Sequence, residues 1–317
     1  MSPTNRLDDQ VVTVFGGSGF IGNYLVQCML EGGARVRIAS RNPEKSFSLK
    51  PLADLGQLQL QRCDITNQQS LQAAIQGSTQ VVNLVGAFGK NQMRLMGDAP
   101  GVMAQIAIDA GVKALVHLSG LGSDENSPAE YARAKHAGEV KVKEAFPKAT
   151  ILRPSVVYGM DDKFLNMFGK LISMAPVLPV FGPEAKMELV YVNDVARAIF
   201  ETLKRPAVHG GKTYELGGPE AISMLELHQR IANAQGRSTH FIRMPDWASS
   251  IFAALPGTPM NSDQWALLKQ GSMVSGKHPG FKKLGIEPKP LSLFLEKWMV
   301  QYRQFGRFGK SNERAMG

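Results

Sequence analysis

The chain has 317 residues, of which 44% are hydrophobic and 20% are charged, and its formal net charge at pH 7 is +9. A chain of this length can bury a sizeable core and exceeds what one dinucleotide-binding domain needs, so we expect a second, smaller lobe. The composition excludes wholesale disorder, and the absence of any run of about 18 uninterrupted apolar residues argues against a membrane-spanning helix.

The first half of the chain alternates short β-rich runs with helix-like segments. The predicted strands are Val11–Phe15, Arg35–Ala39, Leu58–Gln61, Gln80–Val85, Ala114–Leu118 and Thr150–Leu152. The predicted helices between them are Ile21–Leu30, Ser70–Gln76, Val102–Ala110 and Glu130–Ala145. This βαβα order predicts an α/β fold, a doubly wound parallel sheet of the Rossmann type. Right-handed crossovers would bring the strand ends to one functional edge.

After Pro154 the alternation loosens, and from Glu220 onward Pro and Gly separate short helices. The elements predicted in between are a helix over Met160–Ala175, an extended run over Glu188–Val192, a helix over Asp194–Leu203 and an extended run over Thr213–Leu216. We therefore predict a Rossmann-type domain over residues 1–159, with residues 188–217 returning to it. Residues 160–187 and 218–317 would form a smaller, mostly helical lobe for substrate binding or docking.

A glycine-rich turn joins the first predicted strand to the first predicted helix. It reads Gly16-Gly17-Ser18-Gly19-Phe20-Ile21-Gly22. Gly16 permits a tight turn, Gly19 lets backbone amides approach a pyrophosphate, and Gly22 lets the helix pack closely on the strand. Because the positive end of the helix dipole would also face the phosphates, the turn predicts a dinucleotide site.

The end of the second predicted strand indicates which dinucleotide binds. NAD sites usually place an Asp or Glu there, whereas this chain reads Ser40-Arg41-Asn42 with no carboxylate before Glu44. The planar guanidinium of Arg41 is well suited to a 2′-phosphate, although a solvated loop arginine is the alternative. We predict NADPH (NADP) as the cofactor in preference to NAD(H).

Further motifs follow along the chain in a fixed order. They are Cys63-Asp64-Ile65, Asn83-Leu84-Val85-Gly86, Tyr131-Ala-Arg-Ala-Lys135, Arg153-Pro154-Ser-Val-Val-Tyr158-Gly159, Val190-Tyr-Val-Asn193-Asp194 and Tyr214-Glu-Leu-Gly217-Gly218. In this order they resemble the extended and atypical short-chain dehydrogenase/reductase superfamily. The resemblance implies that Asp64 and Ile65 lie at the adenine. It also implies that Val85 and Gly86 lie under the cofactor, and Pro154 beside the nicotinamide.

A narrower resemblance rests on Thr13-Val14-Phe15-Gly16, on the segment from Ser119 to Lys135, and on Leu284-Gly-Ile-Glu-Pro288 with Tyr302-Arg303-Gln-Phe305-Gly306-Arg-Phe308. These segments resemble the branch that contains the NAD(P)H-binding accessory subunit of respiratory complex I and its bacterial relatives. The resemblance implies tightly held NADPH and attachment to a membrane-embedded redox complex, as an accessory or assembly component. The alternative is an active NAD(P)H-dependent reductase or epimerase/dehydratase-like enzyme acting on a quinone-pathway intermediate or a nucleotide sugar.

Tyr131 and Lys135 form the predicted catalytic pair, since residues four apart share one face of a helix. An amphipathic helix that happens to carry both residues is the alternative. A tyrosine that works near pH 7 needs its pKa lowered by about three units, to which an adjacent lysine cation would contribute. Ser119 is the candidate third member and Ser123 is the alternative, but family members often carry the hydroxyl two places beyond Ser119, where this chain has Leu121. Whether the protein is an enzyme therefore stays open.

Basic residues concentrate near the end of the chain. The segment from Lys277 to Gly317 contains nine basic residues and three glutamates, so it carries about six of the nine surplus positive charges. Such a segment favours anionic surfaces, namely acidic lipid, an acidic partner subunit or nucleic acid. We expect no nucleic acid, because no RNA-binding motif accompanies the charge. The six histidines show no spacing typical of zinc ligands, so we expect no metal.

Two apolar segments are candidates for an interface. One contains Leu291, Leu293, Phe294, Leu295, Trp298, Met299, Tyr302, Phe305 and Phe308, and the other runs over residues 246–255 with Trp247, Ile251 and Phe252. Both either pack against the nucleotide domain or dock on a membrane or membrane complex. Because the start Met1–Gln10 is polar and acidic, we expect no signal or transit peptide in it, and Cys28 and Cys63 fit a reducing interior. We expect a cytoplasmic location and leave open a peripheral position on the inner face of the membrane.

Overall fold

The computed structural model describes residues 7–254, 260–304 and 306. The chain forms two compact units. The first comprises Met1–Pro154, Val192–Gly217 and Val274–Glu287, and the second comprises Ser155–Tyr191, Gly218–Met273 and Pro288–Gly317. The bounds of the two domains inferred from the sequence remain a prediction.

The strands of the described residues are short. They are, in chain order, β1 (Val11–Phe15), β2 (Arg35–Ser40), β3 (Leu58–Arg62), β4 (Gln80–Asn83), β5 (Ala114–Leu118), β6 (Thr150–Pro154), β7 (Val157–Tyr158), β8 (Val177–Val180), β9 (Lys186–Met187), β10 (Val190–Tyr191), β11 (Thr213–Leu216), β12 (Ile222–Ser223) and β13 (His240–Arg243).

The helices vary more in length. They are α1 (Phe20–Glu31), α2 (Gln68–Ile75), α3 (Ala99–Asp109), α4 (Glu130–Ala145), α5 (Lys163–Met174), α6 (Val192–Lys204), α7 (Pro206–His209), α8 (Met224–Gln235), α9 (Asp246–Ala254), α10 (Ser262–Gln270) and α11 (Leu295–Met299). A π-helical turn spans Met93–Asp98, and 3₁₀ segments span Pro43–Leu52, Phe281–Leu284, Leu291–Leu293 and Val300–Tyr302.

A parallel sheet organises the first unit. Within the described residues it has seven strands in the order β11-β6-β5-β4-β1-β2-β3. Strand β1 pairs with β2 on one side and with β4 on the other, so the chain reverses its direction of winding between these neighbours. The predicted doubly wound Rossmann-type fold is confirmed. In such sheets ligands bind in the crevice beyond the carboxyl ends of the strands at this reversal.

The central strands of this sheet are almost entirely buried. The Val11–Phe15 run has four fully buried residues, and every residue of Ala114–Leu118 is buried. Parallel strands covered on both faces read as continuous apolar runs, which is why their bounds were predictable from the sequence. The side chains packed in one hydrophobic cluster beside the sheet include Phe15, Leu71, Ile75, Val81, Met103, Leu115, Val142, Phe146 and Ile151.

The second unit is mostly helical, as predicted. Helix α5 begins after Asp162, whose carboxylate accepts a hydrogen bond from the amide of Leu165. Helix α8 begins after Ser223 and ends at Gly236, which has a φ of +68°. The two-stranded pairs β7–β10, β9–β12 and β8–β13 accompany these helices. Strands β7, β8, β9, β12 and β13 were not predicted, because two to four residues carry too little periodicity to be recognised.

The apolar C-terminal segment forms the short helix α11 between two 3₁₀ turns rather than one continuous helix. Leu291, Leu295 and Met299 are buried in a hydrophobic cluster of the second unit, whereas Leu293 is 62% exposed. Phe305, Phe308 and Leu255 lie outside the described residues, as do the basic residues Arg307, Lys310 and Arg314. On α9, Trp247 and Ile251 are exposed. In the described part of the chain, every helix is too short or too polar to cross a bilayer.

Candidate functional site

The glycine-rich turn follows β1 at the centre of the sheet. Gly16 has a φ of +76°, and its amide donates a hydrogen bond to the carbonyl of Ala39 at 3.1 Å. A Cβ at this position would lie 3.3 Å from the Leu84 carbonyl carbon and from the Val85 nitrogen. The turn therefore needs glycine here both for its backbone conformation and for its approach to the segment after β4.

The next glycines bring the start of α1 close to the turn. A Cβ at Gly22 would overlap the carbonyl group of Gly17, so the first turn of α1 can lie this close to the glycine-rich turn only with glycine at position 22. Gly19 caps α1 without a side chain, and its amide bonds to the Gly16 carbonyl at 3.0 Å. Ser18, Phe20 and Ile21 are half-buried between these glycines. The turn thus presents bare backbone at a helix N-terminus, as a pyrophosphate site requires.

The end of β2 contributes the predicted adenosine side of the site. The Oγ atom of Ser40 is buried and has no hydrogen-bond partner among the described residues, while the side chains of Arg41 and Asn42 are exposed. A buried hydroxyl without a partner is uncommon in proteins. Beside the exposed Arg41 guanidinium, it fits a site for a polar or anionic group of a ligand.

Asp64 follows β3 on the same side of the sheet. Its Oδ1 accepts hydrogen bonds from the amide and the hydroxyl of Thr66, both at 2.9 Å. These hydrogen bonds, with a smaller contribution from the Arg41 cation, lower the pKa of Asp64 below its usual range. The next residue, Ile65, is 8% exposed. Asp64 is therefore an anion within electrostatic range of Arg41, which keeps the local charge balanced.

Tyr131 and Lys135 of α4 converge with Gly86 in the segment after β4. A Cβ at Gly86 would lie 3.7 Å from Lys135 Nζ and 4.0 Å from the Tyr131 hydroxyl. The ammonium of Lys135 donates hydrogen bonds to the Leu118 carbonyl at 2.9 Å and to the Val85 carbonyl at 3.3 Å. The two side chains that share a face of α4 thus meet at the carboxyl edge of the sheet, where a cofactor would lie.

The electrostatics of this pair differ from the expectation. Burial raises the pKa of Tyr131 to about 12. Burial also lowers the pKa of Lys135 to about 8, and the Glu139 carboxylate opposes this second shift to a smaller extent. The expected lowering of the tyrosine pKa by the lysine is therefore wrong for this structure. Lys135 Nζ lies 5.8 Å from the centroid of the Tyr131 ring and directs hydrogen bonds to backbone carbonyls, so desolvation of the phenol dominates.

Ser119, the candidate third catalytic residue, is held in a different set of contacts. Its Oγ lies 3.0 Å from Ser123 Oγ, and its hydroxyl also hydrogen-bonds to the carboxylate of Glu139. The amide of Leu121 donates a hydrogen bond to the carbonyl of Pro154, the residue that ends β6. The Ser119 hydroxyl is thus linked to Glu139 and to Ser123.

Sequence reasoning missed the buried polar residues behind this pair. Asn83 Nδ2 lies 3.1 Å from His117 Nδ1, and Asn83 Oδ1 accepts a hydrogen bond from the Val85 amide at 3.0 Å. Burial, and then the Lys135 cation, lower the pKa of His117 to about 3, so this imidazole is neutral. The available signal was a polar residue at or next to the end of each of two apolar strands, Asn83 in β4 and His117 in β5.

Tyr158, from the motif expected beside the nicotinamide, is completely buried in the second unit, where its hydroxyl donates a hydrogen bond to the Lys289 carbonyl.

In the described part of the chain, no group of three or more His, Cys, Asp or Glu side chains could hold a metal ion.

Comparisons with known proteins show the family to which this chain is similar. The family model described as the NAD-dependent epimerase/dehydratase family matches residues 12–217. The chain is 32% identical to NADH dehydrogenase (ubiquinone) 1 alpha subcomplex subunit 9, mitochondrial, from Arabidopsis thaliana, over 95% of this chain and 80% of that protein. It is 27% identical to the ceramide reductase of Caulobacter vibrioides, over 84% of this chain and 81% of that protein.

A solved structure shares the fold. The triphenylmethane reductase of Citrobacter sp., complexed with NADP(H), superposes with a TM-score of 0.74 and is 20% identical, over 92% of this chain and 99% of that one. At this identity the likeness concerns the fold alone.

Proposed function

The chain belongs to the NAD-dependent epimerase/dehydratase family, and we propose that it holds NADPH as an accessory or assembly component of a membrane respiratory system of the complex I type. The observation that carries the cofactor site is the convergence of Gly86, Tyr131 and Lys135 at the edge of the sheet that also carries the glycine-rich turn. A bound nicotinamide coenzyme would supply hydride-transfer chemistry there.

The residues present fit such a coenzyme. The bare backbone of the turn and the unpartnered Ser40 hydroxyl are features that a bound dinucleotide would satisfy. The residues proposed to hold it are Gly16, Gly17, Ser18, Gly19, Phe20, Ile21 and Gly22 at the pyrophosphate, Ser40, Arg41 and Asn42 at the adenosine ribose, Asp64 and Ile65 at the adenine, and Val85, Gly86, Tyr131, Lys135 and Pro154 at the nicotinamide end.

The preference for NADPH over NADH rests on Arg41. It is exposed directly after β2, at the position where NAD sites carry a carboxylate for the ribose hydroxyls. A guanidinium cannot accept a hydrogen bond from a hydroxyl, but it can donate two to a phosphate. Residue 41 therefore favours the phosphorylated coenzyme.

The respiratory partner is proposed from the relatives. The Arabidopsis protein is named as a subunit of NADH dehydrogenase (ubiquinone), and its similarity extends over nearly the whole of this chain. We propose that this chain likewise associates with the subunits of such a complex, peripherally at a membrane. The basic residues near the chain end would favour an acidic partner or an anionic lipid surface.

An active reductase is the second candidate. The arrangement of Tyr131 and Lys135 and the similarity to a ceramide reductase support it. The raised pKa of Tyr131 and the engagement of Ser119 by Glu139 favour the accessory role. A true enzyme would lose turnover in Tyr131→Phe while still binding the coenzyme.

Mass spectrometry of the natively purified protein tests both parts of the proposal. We expect about one NADPH per chain, with respiratory-complex subunits in fixed ratio. Recovery of the folded chain with no nicotinamide nucleotide, and no calorimetric response to NADPH or NADH, would rule out the cofactor site. Recovery with NADPH and with no associated subunit would overturn the accessory role and favour the reductase.

A further inference from the structure

Phe88 covers one face of the tyrosine in the candidate site. Its ring stacks on the ring of Tyr131 with 4.5 Å between centroids and 16° between planes. Phe88 is nevertheless 52% exposed, so it does not belong to the hydrophobic core. A half-exposed aromatic ring laid flat on a half-buried tyrosine shields that tyrosine from water.

The backbone of the loop after β4 is shaped to bring Phe88 back over α4. Gly89 has a φ of +106° and Asn91 a φ of +69°, and both lie in the left-handed region that most residues avoid. On the other side of Phe88, Gly86 faces Lys135 Nζ and the Tyr131 hydroxyl. One short loop therefore places a bare glycine at the polar end of Tyr131 and an aromatic cover on its ring.

We propose that Phe88 is a positioning residue that shields Tyr131 from water, and so keeps the site suited to holding a coenzyme rather than to proton transfer. The inference rests on the proposed function, in which Tyr131 lies at the nicotinamide end. General acid–base groups work best with a pKa near the working pH, and desolvation moves this phenol away from that range. Removal of the cover would let water solvate the phenolate.

The charged surroundings of Tyr131 do not account for the shift. The Nζ atom of Lys135, on the same helix, lies 5.8 Å from the centroid of the Tyr131 ring. Because a cation favours the phenolate, Lys135 would lower the pKa of Tyr131 and not raise it. From the loop after β4 the ring meets Phe88 and the hydroxyl meets Gly86, neither of which titrates. Burial is the cause that raises the pKa of Tyr131, and the Phe88 ring stacks directly on the ring of this buried phenol.

The experiment compares the titration of Tyr131 in the full-length wild-type protein and in Phe88→Ala, with 13C-labelled tyrosine followed by NMR. The signal of Tyr131 is identified by its loss in Tyr131→Phe. We expect the Phe88→Ala phenol to titrate at least one unit below the wild-type phenol, whose pKa is raised by burial. Because tetranitromethane attacks the phenolate, nitration of Tyr131 at fixed pH should be about tenfold faster in the variant.

Two further variants make the comparison specific. Phe88→Trp keeps a flat ring on the loop and should restore the wild-type titration and nitration rate. Phe47→Ala removes another phenylalanine of the first unit with similar exposure, 56%, and should leave Tyr131 unchanged. Identical titration in wild type and Phe88→Ala, or an equal shift in Phe47→Ala, would overturn the inference. None of these readouts needs coenzyme, so failure to bind NADPH would count against the proposed function alone.

Discussion

Glu139 and Arg153 form a bidentate ion pair inside the first unit, with Nε donating to Oε1 at 2.8 Å and Nη2 donating to Oε2 at 2.6 Å. The side chain of Glu139 is 3% exposed and that of Arg153 is 17% exposed. Glu139 lies one helical turn beyond Lys135 on α4, and Arg153 lies in β6 next to Pro154. The pair therefore ties the helix that carries Tyr131 and Lys135 to a strand end beside the candidate site.

We expect Glu139→Gln to destabilise the fold by about 3–5 kcal/mol, because it removes the carboxylate that pairs in bidentate fashion with a largely buried guanidinium. Urea unfolding at pH 7 measures this. The matched control is Lys141→Ala on the same helix, which removes a pair with Asp98 whose side chains are 46% and 52% exposed. That loss should be below about 1 kcal/mol. Equal losses in the two variants would mean that the Glu139 pair behaves as a surface ion pair.

Gly22→Ala should destabilise the protein by about 1–3 kcal/mol and weaken NADPH binding, because the new methyl group would overlap the Gly17 carbonyl and force α1 away from the turn. Thermal unfolding and calorimetry report the two effects. Gly120→Ala is the control, since a Cβ there meets no atom within 4 Å and its φ is not positive. If Gly22→Ala matched Gly120→Ala in both measurements, the close approach of helix and turn would be refuted.

The sequence was sufficient for the sheet and for the turn because their signals are local. The bounds predicted for Val11–Phe15, Ala114–Leu118 and Glu130–Ala145 agree with the structure, since continuous apolar runs and a long helical period are read residue by residue. Two glycines of the turn are similarly informative, because Gly16 has a positive φ and Gly22 leaves no room for a Cβ beside Gly17. The spacing of Tyr131 and Lys135 indicated a catalytic pair only together with the other motifs of the chain, and that role stays a prediction.

The polar residues behind the site were not predictable in the same way. His117 contacts Asn83, and Glu139 contacts Arg153. The partners are not neighbours in the sequence, so hydrophobic periodicity could not predict these contacts. The direction of the Tyr131 shift depends on how much water the surrounding atoms exclude, including the ring of Phe88. This burial depends on the folded surroundings of Tyr131, which the sequence does not show. The spacing of Tyr131 and Lys135 therefore suggested a lowered tyrosine pKa, whereas burial raises it.

Arg41→Ala should weaken NADPH binding by about tenfold to a hundredfold, as expected for loss of charge-assisted hydrogen bonds worth about 1.5–3 kcal/mol. The affinity for NADH should change by less than about twofold, because NADH has no 2′-phosphate. Calorimetry with both coenzymes measures the ratio. Arg35→Ala is the control, since Arg35 is also exposed but begins β2 at the opposite end of the strand. Equal loss for NADPH and NADH would show that Arg41 does not recognise the phosphate.

The buried Lys135 should give the protein a distinctive dependence of stability on pH. Its side chain is 3% exposed, and burial lowers its pKa to about 8, whereas an unfolded lysine titrates near 10.4. Between about pH 8 and pH 10 the unfolded chain therefore binds a proton that the folded chain has released. Under that condition the free energy of unfolding rises with pH, by at most about 1.4 kcal/mol per unit from this group.

Lys135→Met removes this contribution, so the wild type should gain stability relative to the variant as the pH is raised from 8 to 10. Urea unfolding of both proteins across this range gives the difference, in which the other titrating groups cancel. Lys113→Met, at an exposed position in the same unit, should follow the wild type in parallel. Parallel curves for wild type and Lys135→Met would show that Lys135 keeps the pKa of an exposed lysine, and that its hydrogen bonds to the Leu118 and Val85 carbonyls offset the burial.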